Sequence, residues 1–248
     1  MKVIDILNNT DKAVFSFELV PPLKGGDINK IYEAIEPLIA LAPPFINITF
    51  HRDEVVYREY PDGTIKKVTV TKRPGSVALA AAIMRRYNVD MVPHIVCGGA
   101  TRHKIENELI DLNFLDIENV MALRGDPIPG ERFFTPEEGG HQYSCELVEQ
   151  ITRMNHGQYL DDTLTDAVPT NFCIGVAGYP EKHYEAPNQA CDIENLKKKV
   201  DAGANYIVTQ MFFDNNILYN FIYRLREAGV NMTAAEQGSD QRFAGMTF

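Results

Sequence analysis

Phe172-Cys173-Ile174-Gly175-Val176-Ala177 and Tyr206-Ile207-Val208-Thr209-Gln210-Met211-Phe212 are apolar, largely β-branched runs, and Ile193, Leu196 and Val200 recur at helical spacing between them. A continuous apolar run of this length reads as a strand buried on both faces, and an apolar stripe of period near 3.6 reads as a helix covering it. Working outward, the same rhythm recurs. Residues 13–19, 45–50, 91–97 and 119–123 make four more runs, which gives six strands in all. Helical stripes separate them: Ile28, Ile31, Tyr32, Ile35, Leu38 and Ile39; Ala80, Ile83, Met84 and Tyr87; Ile105, Leu109 and Leu112; Leu147, Val148, Ile151 and Met154. Leu218, Phe221, Ile222 and Leu225 follow the last strand. Pro37, inside the first stripe, predicts a kink or a fresh helical start there. Strict alternation of strand and helix predicts parallel βα units, as a barrel or as a doubly wound sheet.

Two insertions break the rhythm, and both follow the C-terminal end of a strand. Residues 53–72 carry Asp62-Gly63 between two β-prone runs, a hairpin signal; residues 127–142 are rich in Pro, Gly and Glu. Barrel enzymes keep their substrate loops at that end. Polar residues gather there too: Glu18, Thr49, His51, His94, Arg124, Asp126, Tyr179, Glu181, His183 and Gln210 all sit in or just after a strand. Burying such groups costs free energy unless they are paired or wetted, so a ligand site on that rim is expected.

Composition narrows the partners. Twenty-four basic against thirty-four acidic residues leave a net charge of −10, which repels nucleic acid and anionic membrane. The longest apolar stretch, residues 77–84, is less than half of a membrane span. Asp5 interrupts any signal-peptide core, so a cytoplasmic protein is expected. Cys97, Cys145, Cys173 and Cys191 lie 48, 28 and 18 residues apart, matching no zinc or redox spacing, and read as buried thiols with no metal.

Five segments in order are more specific: Phe15-Ser16-Phe17-Glu18-Leu19-Val20-Pro21-Pro22, Ala122-Leu123-Arg124-Gly125-Asp126, Gly178-Tyr179-Pro180-Glu181-Lys182-His183, the stretch from Leu196 to Ala204, and Thr209-Gln210-Met211-Phe212-Phe213-Asp214. Together, over about residues 13–231, they closely resemble the methylenetetrahydrofolate reductase family. The resemblance implies an α/β fold of the (β/α)8 TIM-barrel type, non-covalent FAD, a nicotinamide donor (NADH or NADPH) and reduction of 5,10-methylenetetrahydrofolate to 5-methyltetrahydrofolate. It assigns Glu18 the proton transfer that opens the substrate's five-membered ring. It places Asp126 by the flavin and the pterin, and Gln210 on the folate. The flavin pocket it implies comprises Thr49, His94, Arg124, Gly125, Asp126, Tyr143, Ser144, Ala177, Tyr179 and His183, with Asp192, Asn195, Lys198 and Lys199 sharing one side of the fifth helix. Read without the resemblance, Glu18 among Phe17, Leu19 and Val20 is expected to be partly desolvated and to favour its protonated form. The bland readings are a strand-end carboxylate bonded to backbone for Glu18, an Arg124–Asp126 surface pair, and a solvated charged face for the lysine helix. Two departures stand out: Leu19-Val20 follows the glutamate where the family often has an aromatic pair, and Lys198 stands where arginine is common.

The resemblance stops at about Asn231, and residues 233–248 carry no strand-like run. One barrel domain over 1–231 with six recognisable βα units, and an atypical tail over 232–248, is the expected organisation. Open strand edges then predict a less stable homo-oligomer with little turnover. The competing expectations are a catalytically incompetent flavin- or folate-binding fragment and, in a different class, another pterin-using barrel such as a methyltransferase.

Overall fold

The computed structural model describes residues 1–10, 12 and 14–230. Six parallel strands, β1 (Phe17–Leu19), β2 (Phe45–Ile48), β5 (Asp90–Val96), β6 (Asn119–Leu123), β7 (Cys173–Gly178) and β8 (Tyr206–Thr209), form one curled sheet in the order β1-β2-β5-β6-β7-β8. Each strand pairs with the sheet strand before it in sequence. The crossovers are the helices α2 (Ile28–Ile39), α3 (Ser76–Tyr87), α4 (Arg102–Phe114), α5 (Ser144–Asn155) and α6 (Gln189–Asp201), and α7 (Asn215–Glu227) follows β8. All six expected strands are present, although β1 and β8 are shorter than the apolar runs that announced them. Sequential pairing of parallel strands is the barrel alternative, here as a half-barrel with β1 and β8 at its edges among the described residues. The expected tail over 232–248 lies outside the described residues, as does Ala13 at the start of the first run.

The insertion at 53–72 is the hairpin its Asp62-Gly63 signalled: β3 (Glu54–Glu59) and β4 (Ile65–Val70) pair antiparallel with Glu59 opposite Ile65. The Asp62 carboxylate accepts from the Thr64 N–H at 3.0 Å and its hydroxyl at 2.7 Å, which sets the turn. Pro37 does not restart α2, which runs through it as one helix. It sits in the last turn, and the helix ends two residues later at Ile39.

Strand alternation sorts the interior into two layers. Ile46, Ile48, Met91, Ile95, Val120, Ala122, Ile174, Val176 and Ile207 point outward onto the helices, where they meet Ile83, Ile105, Leu109, Leu147, Ile151 and Phe221. Phe45, Val92, Met121, Cys173 and Tyr206 point into the curl and form a second cluster. Gly175 is part of that inner layer. A Cβ there would clash with the Tyr206 ring, so the tyrosine lies flat across the strand only because glycine leaves room.

A helix that the sequence pattern did not announce, α1 (Val3–Asn8), closes the N-terminal end of the curl. Six residues are too few to show a period, yet Val3 and Leu7 are buried against the inner cluster. The Val3 N–H donates to Asn119 Oδ1 at 2.8 Å, and Asn119 Nδ2 donates to the Met1 carbonyl at 3.0 Å. No helix among the described residues is long and apolar enough to cross a membrane.

Asn119→Ala should leave the buried Val3 N–H without an acceptor and cost about 1–3 kcal/mol. Urea unfolding of both proteins checks this, together with the rate of proteolytic removal of the N-terminus, which should rise in the variant.

Candidate active site

The sealed floor of Val3, Leu7 and Phe45 leaves the C-terminal ends of the strands as the open rim, and alternation decides what reaches it. Leu19 packs outward, so Glu18 faces inward, opposite Asn47 of β2. Its carboxyl is half-buried, and desolvation raises its pKa above the usual carboxylate value. Among the described residues no backbone N–H bonds this carboxylate. His94 of β5 is buried, and its Nε2 lies 3.6 Å from Glu18 Oε2, just beyond hydrogen-bond length. Burial first, and His51 second, lower the His94 pKa to about 4. Near neutral pH an uncharged imidazole therefore stands beside a carboxyl whose pKa burial has raised. Thr49 extends this corner: its hydroxyl donates to the Leu19 carbonyl at 3.3 Å and lies 3.5 Å from His51 Nδ1.

Across the rim, β6 ends in Arg124-Gly125-Asp126. Arg124 does not pair with Asp126. Its Nη1 donates to Glu185 Oε2 at 2.6 Å, its guanidinium lies 5.1 Å from the Phe134 ring centroid, and its Nη2 is buried without a partner. Gly125 has φ +87°, and a Cβ there would run into Val96, so the chain turns here only without a side chain. Asp126 is exposed, and its carbonyl accepts from Arg52 Nη1 at 3.2 Å.

The third part of the rim comes from β7 and α6. Lys199 reaches back to donate to the Ala177 carbonyl at 2.9 Å and lies 5.9 Å from the Tyr179 ring centroid. Burial lowers this ammonium to about 8 despite the favourable charge of Asp192. Burial, then the charges of Asp192 and Asp126, raise Tyr179 to about 12. The Tyr179 and His183 rings stand edge to face at 4.7 Å, and Asp192 Oδ2 accepts the His183 N–H at 2.9 Å. The expected shared face of α6 therefore divides: Asp192 and Lys199 turn to the rim, whereas Lys198 is exposed with its Nζ 3.5 Å from the exposed Asn195. Ser144 is buried at the start of α5 and Tyr143 is exposed just before it, while Gln210 is exposed past the end of β8.

Three residues of this rim carried no usable sequence signal. Glu185 and Phe134 lie in loops, and only the fold brings them to Arg124. Arg52, mostly buried with an unpartnered Nε, ties the Asp126 carbonyl to Glu137 at 4.0 Å. The arrangement offers a carboxyl with a raised pKa on one side. On the other, a buried amine and an unsatisfied guanidinium N–H suit an anionic, acceptor-rich ligand.

His94 sets a pH dependence. A histidine whose folded pKa lies below its unfolded value of about 6.5 stabilises the fold above that value, and the stability is lost as pH falls towards about 4. The loss attributable to His94 should reach on the order of 3 kcal/mol near pH 4. Glu18 acts in the opposite sense, because its raised pKa makes the fold less stable as pH rises. Denaturant unfolding at pH 7 and pH 4.5 should show a smaller acid loss in His94→Gln than in the unaltered chain. Equal losses would mean that His94 is not buried neutral.

Comparison with known proteins agrees with this geometry. The sequence pattern of methylenetetrahydrofolate reductase matches residues 2–235. Methylenetetrahydrofolate reductase (NADH) 1 of Arabidopsis thaliana is 32% identical, covering 93% of this chain and 36% of its own length. The 5,10-methylenetetrahydrofolate reductase of Salmonella typhimurium is 30% identical over 88% of this chain and 61% of its own. The chain thus spans about a third of the plant relative and three fifths of the bacterial one. Among solved structures, 2,3-dimethylmalate lyase, a PEP mutase/isocitrate lyase superfamily member, superposes with a TM-score of 0.54 at 8% identity, covering 90% of this chain and 66% of that one; the likeness is one of fold. A family pattern that runs from the second residue through the last described strand and helix leaves one assignment: the chain belongs to the methylenetetrahydrofolate reductase family.

Proposed function

We propose that this chain carries the flavin-dependent reduction of 5,10-methylenetetrahydrofolate to 5-methyltetrahydrofolate, with FAD at the strand-end rim and a nicotinamide as electron source. The observation that carries the reading is the Glu18 carboxyl, biased towards its protonated form by burial and set 3.6 Å from a neutral His94. Relatives are named for both NADH and NADPH, so the donor is taken as a nicotinamide of either kind.

The residues fit FAD. Arg124 Nη2 is a buried donor without an acceptor, and Lys199 is a buried ammonium whose hydrogen bond to the Ala177 carbonyl uses one of its three N–H donors. Both suit phosphate or flavin carbonyl oxygens. Lys199, held at the rim by the Ala177 carbonyl, is the inner of the two lysines proposed for this, and the exposed Lys198 beside Asn195 is the outer one. Gly125, Tyr179, His183, Thr49, Ser144 and Tyr143 would shape the remainder of the flavin pocket, with Asp126 and Gln210 on the pterin. FAD, when bound and reduced, supplies the hydride that converts the bridging carbon to a methyl group.

The chain's own contribution is the proton. The substrate's methylene carbon bridges N5 and N10, and the product keeps it on N5, so the bond to N10 must break. Glu18 donates its proton to N10 as that bond opens, and the N5 lone pair forms the iminium that accepts the hydride. A carboxyl with an ordinary pKa would be ionised near neutrality and could not serve. His94, lowered by burial to about 4, brings no positive charge that would favour the Glu18 carboxylate.

Glu18→Gln should leave reduction of the flavin by nicotinamide nearly intact and slow reoxidation by methylenetetrahydrofolate by about 10²–10⁴-fold. Stopped-flow absorbance at the oxidised flavin band separates the two half-reactions. Equal losses in both would make Glu18 a flavin-positioning residue and remove the acid role.

A further inference from the structure

Arg124 is gripped by two loops that follow different strands. Glu185, in the loop after β7, accepts from Arg124 Nη1 at 2.6 Å, and the two side chains are 16% and 17% exposed. Phe134, buried in the loop after β6, lies under the guanidinium and within 3.3 Å of where a Cβ on Gly98 would stand. Glu185 is itself fixed: its Oε1 accepts from the Tyr184 hydroxyl at 2.9 Å, and its N–H donates to His183 Nδ1 at 3.2 Å. That donated bond leaves Nδ1 as the acceptor and puts the neutral ring's proton on Nε2.

Resting on the flavin reading, we propose that Glu185 is a positioning residue of the cofactor site, holding the Arg124 guanidinium so that its free Nη2 edge is presented to bound FAD. Asp126 is two residues from Arg124 and stands close enough to Tyr179 and Tyr184 for its charge to act on both. Without Glu185 it is the competing anion for Arg124. A guanidinium drawn to Asp126 would turn Nη2 away from the cofactor and neutralise the carboxylate meant for the pterin. The charge-assisted bond from Nη1 to Glu185 Oε2 holds the guanidinium at one end and the Phe134 ring lies against its face, which leaves Nη2 as the free edge. The Glu185 carboxyl keeps its charge, since the bonds from Arg124 and Tyr184 outweigh the desolvation that opposes it.

The test is a double-mutant cycle on FAD affinity, read in the full chain by quenching of flavin fluorescence, with the visible spectrum of the bound flavin as a second signal. Glu185→Gln should weaken FAD binding at least fivefold and alter the bound spectrum. Arg124→Leu should weaken it at least as much, and adding Glu185→Gln to Arg124→Leu should cost nothing further, because Glu185 acts only through Arg124. Tyr184→Phe, at an exposed side chain that carries no fold, supplies a second variant: it should weaken FAD binding about twofold, and not at all once Glu185 is glutamine. A merely structural role would give additive losses. Additive losses, or unchanged affinity in Glu185→Gln and Tyr184→Phe, overturn this inference alone and leave the flavin reading standing. An unaltered chain that takes up no FAD overturns the flavin reading and this inference with it.

Discussion

Burial from below is the constraint on which the site depends. The parallel sheet is covered by helices on its outer face, and α1 with Phe45, Val92, Met121, Cys173 and Tyr206 fills the N-terminal half of the curl. Any polar group that an inward-facing position supplies higher up stands on an apolar floor and loses part of its water. Glu18 and His94 are such groups, and desolvation moves both towards their neutral forms, one pKa up and the other down. The same packing that stabilises the half-barrel therefore shifts this carboxyl of Glu18 towards its protonated form.

The far side of the rim follows the reverse logic. Lys199 and Arg124 are cations held where water is scarce, and each keeps a donor that the chain does not fully satisfy. Their nearest anions, Asp192 and Glu185, also orient the loop after β7 through His183. A carboxyl and an imidazole shifted towards neutrality on one side and buried positive charge on the other divide the rim into two halves of opposite character. This division arises from strand order: β1 and β5 supply the carboxyl and the imidazole, and β6, β7 and α6 supply the cations.

Periodicity made the architecture legible. Six apolar runs and the stripes between them became the six sheet strands and their helices, and Asp62-Gly63 became the hairpin turn. Short elements were not legible: α1 is a single pair of turns, too brief to show a period, and its Val3 and Leu7 read as scattered apolar residues. In the site, the apolar neighbours Phe17, Leu19 and Val20 were enough to anticipate a desolvated Glu18. Loop partners were out of reach, because Glu185 and Phe134 meet Arg124 only across 61 residues of chain in one case and an insertion in the other. On α6 the spacing grouped Lys198 with Lys199, but one residue is a turn of 100° on a helix. That single step sends Lys199 to the Ala177 carbonyl and Lys198 to solvent.

The account turns on the protonation state of Glu18. Nuclear magnetic resonance titration of glutamate side-chain carboxyl carbons in uniformly labelled protein, with the Glu18→Gln variant identifying the resonance, measures it without substrate or cofactor. The account predicts a midpoint for Glu18 clearly above the ordinary glutamate value of 4.5. A midpoint at or below that value would show an ionised carboxylate at the rim and contradict the assignment of Glu18 as the proton donor.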